Sequence, residues 1–197
     1  MPARSDEDIA RTRAFWAANK PMETGAPAYT PDPPVWWHVA LALVAALLLQ
    51  SAFAPFLAVR GASPSLVTLL VAWYAVRTGS LSGLLFGLIA GTCEDAIAGS
   101  TGVAWTFASG LAGLAAGRLA RTWLADTQLA LVPGAAAVTL LRYATFTAAM
   151  HLEGRPPALP VEHLHAVLWQ SLLDAALAFV ALRVWPGLLR GALAHRR

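Results

Sequence analysis

Between Gly79 and Gly102 the chain reads GSLSGLLFGLIAGTCEDAIAGSTG, with glycine at every fourth position from Gly79 through Gly83 and Gly87 to Gly91, a row that continues through Asp95 to Gly99. In water each interior glycine costs a helix roughly 0.8–1 kcal/mol against alanine, so such a row argues against a soluble helix. A bilayer reverses that balance. Hydrocarbon offers the backbone no other hydrogen-bond partner, so the segment is helical there, and a ridge without side chains lets a neighbouring helix approach closely. The ridge is therefore expected to be a packing surface, and as the stronger expectation one that faces a partner protein.

The ridge ends in charge, because Glu94 and Asp95 follow an apolar run from Leu81 to Cys93. Carboxylates in that position reach the headgroup layer or face a polar interior. Asp95 shares the glycine row and is expected to face whatever the glycines pack against. Glu94, about 100° around the helix from it, is expected to be freer to point at water.

Composition supports the membrane reading. The 197 residues are 57% hydrophobic with a mean hydropathy of +0.57, above the roughly 45–50% apolar share of a soluble domain. The single Cys93 excludes an internal disulfide and a cysteine-rich metal site. The first apolar run begins only at Val35 and is too long for the core of a cleavable signal.

The expected organisation is an all-α, polytopic helical bundle. Residues 1–34 form a polar tail, with a helix-start pattern from Ser5 and a Pro21–Pro34 linker; residues 35–189 form the membrane domain; residues 190–197 form a basic tail. Six spans are expected: Val35–Val59 opening on Trp36 and Trp37, Ser65–Val76, the glycine helix, Thr101–Leu124, Gln128–Met150 and Leu164–Val184. The second is weakest, since its length reaches only about 18 Å at 1.5 Å per residue against a core of about 30 Å. The fourth repeats the glycine chemistry with Gly113 and Gly117, so the two glycine helices should form an antiparallel hairpin. Lys20, Arg77, Arg118, Arg121, Arg183, Arg190, Arg196 and Arg197 fall on the side of the termini, against Arg60 and Arg155 on the other. That bias predicts cytoplasmic termini.

Arg142 and Asp174 are the charges in the interiors of the fifth and sixth apolar runs. A charge near the bilayer centre costs about 2.5–3.5 kcal/mol on insertion scales and needs a partner. An intramembrane ion pair between the two is the first reading, an Arg142 pair with Asp95 the second, and a proton or substrate path the third.

Enzymatic readings find little support. Glu162, His163 and His165 suggest metal ligands, but residues two apart point to opposite faces of a helix, so a loop at the membrane edge is preferred. No nucleophile elbow or phosphate loop is present, and Asp95 and Asp174 lack the glycine-aspartate signatures of intramembrane aspartyl proteases. No catalytic residue, cofactor, metal or nucleic-acid partner is expected.

The run Gly87-LIA-Gly91-TCE-Asp95-AIA-Gly99-ST-Gly102, followed by an Ala/Gly-rich helix ending GRLAR, resembles the bacterial rod shape-determining protein MreD family. Leu49-Gln50 with Pro55, then Gly61 and Ser63-Pro64, precede it at matching spacing, and the resemblance covers about Leu41 to Trp185. The long tail before Pro34 departs from the family's short N-terminus. The resemblance implies a non-enzymatic inner-membrane component of the lateral cell-wall elongation machinery. Its implied partners are an MreC-like periplasmic scaffold, a RodA-type glycosyltransferase with its transpeptidase, MreB filaments and membrane lipid. Asp95 would match the acidic position closing the family's glycine helix. The family is similar in helical layout to substrate-binding subunits of energy-coupling-factor vitamin transporters, which supplies the alternative function. Transport predicts a polar ligand pocket near the outer face, and assembly predicts none.

Overall fold

The computed structural model describes residues 34–53, 56, 58–122, 131–154 and 161–184, with the backbone alone at 122 and 161–164. The expected helix from Ser5, the proline linker, the basic C-terminal tail, Trp123 and Trp185 lie outside these residues. Among the described residues six helices form, with no strand: α1 Trp36–Phe53, α2 Leu66–Thr78, α3 Ser80–Ala98, α4 Ala104–Thr122, α5 Leu131–Leu152 and α6 Val161–Val184. Each expected span corresponds to one helix. Four stretches, Trp36–Phe53, Ser80–Ala98, Leu131–Leu152 and His165–Val184, are long and apolar enough to cross a membrane. The helical start at Val161 places His163 and His165 on α6 and not in the loop expected for them.

The weakest element by sequence is the hub of the bundle. Helix α2 has only 13 residues, yet packs against α1, α3, α4, α5 and α6, with Val67, Val71 and Ala75 buried. Its short length is matched to its surroundings: neighbouring helices, not lipid, enclose most of it. Ser65 caps its start, accepting from the Thr68 amide at 3.2 Å. A tight turn precedes it, Val59 and Ala62 exchanging backbone hydrogen bonds around Arg60 and Gly61, both at positive φ.

Helices α3 and α4 form the expected antiparallel hairpin and the most intimate pair in the bundle. A Cβ on Gly83 would collide with the Gly113 carbonyl and Ala75, one on Gly87 with the Ser109 carbonyl, and one on Gly91 with the Trp105 carbonyl. From the other side, a Cβ on Gly113 would strike the Gly83 carbonyl and one on Gly117 the backbone of Ser80. The two backbones thus touch directly, each glycine receiving the other helix where a side chain would stand. This corrects the partner-facing reading of the ridge: Gly83, Gly87 and Gly91 are buried inside the chain. Gly99 does not belong to the seam. It ends α3 in the left-handed conformation at φ +67°, its amide donating to the Asp95 carbonyl, with open space where a Cβ would stand.

An alanine row on α4 serves the neighbouring face. Ala112 and Ala116 pack with Ala72, Ala75 and Val138, joining α4 to α2 and α5. Helix α1 is the peripheral member, docking Val39, Leu43 and Ala46 on Val67, Val71, Phe86 and Ala90 while Leu41, Val44 and Leu48 remain exposed.

Candidate functional site

Glu94, Asp95, Arg142 and Asp174 gather near the starts of α2 and α4, in the half of the bundle where α1, α3 and α5 end. Asp95, last of the glycine row, sits beside the start of α4. Its Oδ1 accepts from the Thr101 hydroxyl at 2.6 Å and the Trp105 amide at 3.1 Å, and its Oδ2 from the Thr106 amide and hydroxyl, both at 2.8 Å. Those amides are among the donors that a helix start leaves without an internal acceptor, and a carboxylate there also meets the positive end of the helix dipole. Asp95 therefore closes the α3–α4 hairpin with four hydrogen bonds and faces the element that the glycines pack against, as its row requires.

Arg142 is 3% exposed and meets groups from three other helices. Its Nε donates to Ser109 Oγ at 3.1 Å; its Nη1 donates to Ser65 Oγ at 3.1 Å and Thr68 Oγ1 at 2.7 Å; its Nη2 forms an ion pair with Glu94 Oε2. The Ser109 hydroxyl in turn donates to the same Glu94 oxygen at 3.1 Å, and the guanidinium lies 4.4 Å from the centre of the Trp105 ring. Trp105 is clamped between this cation and Phe146, whose ring stacks on it at 4.0 Å.

The expected ion pair of Arg142 with Asp174 is replaced by this pair with Glu94, and so is the second choice, Asp95. Asp174, fully buried, accepts from the Ser65 amide and from the Thr139 hydroxyl, each at 2.7 Å. Among the described residues no hydrogen bond joins Arg142 to Asp174 directly; Ser65 bridges them, its hydroxyl serving one and its amide the other. The physical reason is the start of α2. A short buried helix carries orphan amides that attract a carboxylate, and its capping hydroxyls attract a guanidinium. Glu94 is likewise not turned to water, its side chain being 9% exposed.

Sequence reasoning passes over Glu94 as a partner, and over Ser65, Thr68 and Ser109. Signals exist for the first three. Glu94 follows Phe86 and Ala90 at steps of four, a second buried row beside the glycine row. Ser65 and Thr68 have the spacing of a helix cap before an apolar run.

Beside the network lies a cavity of about 400 Å³, whose polar lining comprises Gln50, Ser51, Ser63, Glu94, Arg142 and Gln170, with Trp105, Tyr143, Leu47 and Ile97 among its other walls. The Gln50 carbonyl accepts from the Val67 amide at 3.3 Å, leaving its amide nitrogen toward other partners. No cluster of metal-ligating side chains occurs among the described residues. Comparison with known proteins adds no identity, since no family model, curated protein or solved structure matches the chain.

Proposed function

We propose that this chain is a non-enzymatic integral-membrane component of the bacterial cell-shape and lateral wall elongation machinery, binding and organising an MreC-like periplasmic scaffold and the peptidoglycan synthases. The observation that carries this reading is the run from Gly87 to Gly102, on which the resemblance to the MreD family rests. Its support is that the same residues are the ones around which the bundle is built: Gly87 and Gly91 in the helix seam, Asp95 at the start of α4 and Glu94 on Arg142.

The proposed setting is the inner membrane, with six spans and both termini cytoplasmic. Helix α2 crosses in this reading despite its length because other helices surround it. The polar cavity then opens toward the periplasm. With the glycine ridge turned inward, a partner helix is left the exposed faces, Leu41, Val44 and Leu48 on α1 and Leu81, Leu85 and Ile89 on α3.

Reporter fusions at Arg197 and within the Gly154 loop should report opposite sides of the membrane. Co-purification from membranes should recover an MreC-like protein, and depletion should round the cells. Intact rod shape on depletion, with no scaffold recovered, would refute the assignment.

The cavity favours a second reading, a substrate-binding subunit of a small-molecule transporter. An assembly protein needs no polar cavity, and this chain has one. That reading predicts recovery with an energising ATPase partner and loss of solute uptake on deletion.

A further inference from the structure

The cavity wall carries a specific hydrogen-bonding pattern. Four of the five N–H groups of Arg142 are accounted for, by Ser109, Ser65, Thr68 and one bond to Glu94, which leaves one Nη2 hydrogen. Glu94 Oε2 accepts from both Arg142 and Ser109, whereas its Oε1 has no hydrogen-bond partner among the described residues. Both residues line the cavity. One donor and one acceptor therefore stand side by side, on a pair whose formal charges cancel.

That arrangement discriminates among ligands. A carboxylate or phosphate would set its acceptors against Glu94, and an ammonium would set its donors against Arg142. Either would also bring an uncompensated charge into a largely desolvated site. An uncharged amide edge, N–H beside C=O, answers both wall groups at once. Gln50, Gln170 and Tyr143 line the same cavity and bring further hydrogen-bonding groups to it. Between them Leu47, Ile97 and Ala98 offer apolar wall. A volume of about 400 Å³ falls within the range of small-molecule sites.

We propose that this cavity binds a small uncharged molecule with an apolar body and an amide edge, the edge meeting Glu94 and Arg142. The proposal rests on the cavity alone. It holds whether the bound molecule is carried across the membrane or regulates assembly.

The test uses the full chain in lipid nanodiscs, with benzamide as the probe and empty nanodiscs as the blank, read by saturation-transfer NMR. Benzamide should bind above the blank. N,N-dimethylbenzamide, which lacks the donor, and benzoate, which carries a charge, should each bind about tenfold more weakly, the scale of one lost hydrogen bond. Glu94→Gln is the direct variant, but it breaks the ion pair and can cost folding. Two variants outside the ion network keep the test decisive. Ala98→Trp, filling the cavity wall, should abolish the signal, and Gln170→Leu should weaken it about three- to tenfold. Absence of benzamide binding, equal binding of all three probes, or binding indifferent to Ala98→Trp would overturn the proposal.

Discussion

Along the α3–α4 seam no side chain stands between the helices, because Gly83, Gly87 and Gly91 meet the backbone of α4. A few residues away, at the start of α2, the helices are instead held apart and joined by long polar side chains: Arg142 from α5 reaches Glu94 on α3, Ser109 on α4 and Ser65 and Thr68 at α2. Both solutions answer the same difficulty, that lipid supplies no hydrophobic drive for helix to meet helix. The seam relies on contact and tolerates no added volume. The network relies on mutual satisfaction and tolerates no missing member. The two should therefore fail differently, and substitutions can separate them.

The largest effect is expected in the seam. Gly87→Leu places four carbon atoms where the Ser109 carbonyl already lies, and backbone cannot yield as a side-chain tip can. Folded protein should be lost, as judged by monodisperse recovery in detergent. A stable Gly87→Leu protein that lost only its partner would restore the reading of the ridge as an interface and break the contrast between seam and network.

Next comes the ion pair. Removing one member of a buried pair leaves an uncompensated charge and costs about 3–5 kcal/mol, whereas removing both with apolar replacements is often far milder. Glu94→Leu and Arg142→Leu should each lower thermal stability strongly, and the double variant should be more stable than the sum of the two predicts. Strict additivity would mean that the two do not act as a pair. Asp174→Leu serves as contrast: Asp174 touches Ser65 and Thr139 but not the guanidinium, so combining it with Arg142→Leu should give weaker coupling.

Asp95 joins the two regions, continuing the glycine row yet working through hydrogen bonds. Asp95→Ala strands the half-buried Trp105 and Thr106 amides at the start of α4, at about 1 kcal/mol for each donor left without an acceptor, the low end of the range for full burial. Asp95→Asn keeps one acceptor oxygen and should recover part of that loss. Equal melting temperatures for the two variants would show that carboxylate charge, not acceptor count, is what α4 requires.

The same contrast explains which features are legible in the sequence. Periodicity is a property of one helix, so the glycine row, the α3–α4 hairpin, the inward turn of Asp95 and all six helices can be read from spacing alone. Pairing across helices is not such a property. The depth of their backbone positions matches Arg142 to Asp174, but a guanidinium reaches well beyond its own Cα, and the capping groups of α2 intercept both side chains. The ridge is misassigned to a partner for a related reason. A row of small residues declares close approach without saying whose backbone approaches. The hub role of α2 is hidden because a short apolar run looks deficient against a bilayer yet suits a helix enclosed by protein.

The smallest effects sharpen the seam itself by showing that a glycine need not belong to it. Gly134 lies in α5 with nothing within 4 Å of where a Cβ would stand. Alanine there removes the flexibility that glycine adds to the unfolded chain and meets no obstacle, so Gly134→Ala should stabilise by up to about 1 kcal/mol. Gly99 is equally open but holds φ at +67°, a conformation that costs a side-chain-bearing residue about 1–2 kcal/mol. Gly99→Ala should therefore destabilise modestly. These two substitutions share an empty surrounding and differ in backbone angle alone, while Gly87→Ala shares the ordinary helical angle of Gly134 and differs in having a carbonyl in the way. Measured together by thermal unfolding, the order should be Gly134→Ala above the parent, Gly99→Ala slightly below it, and Gly87→Ala far below. If Gly87→Ala instead ranked with Gly134→Ala, the seam would have slack enough for a methyl group, and direct backbone contact would not be what holds α3 to α4.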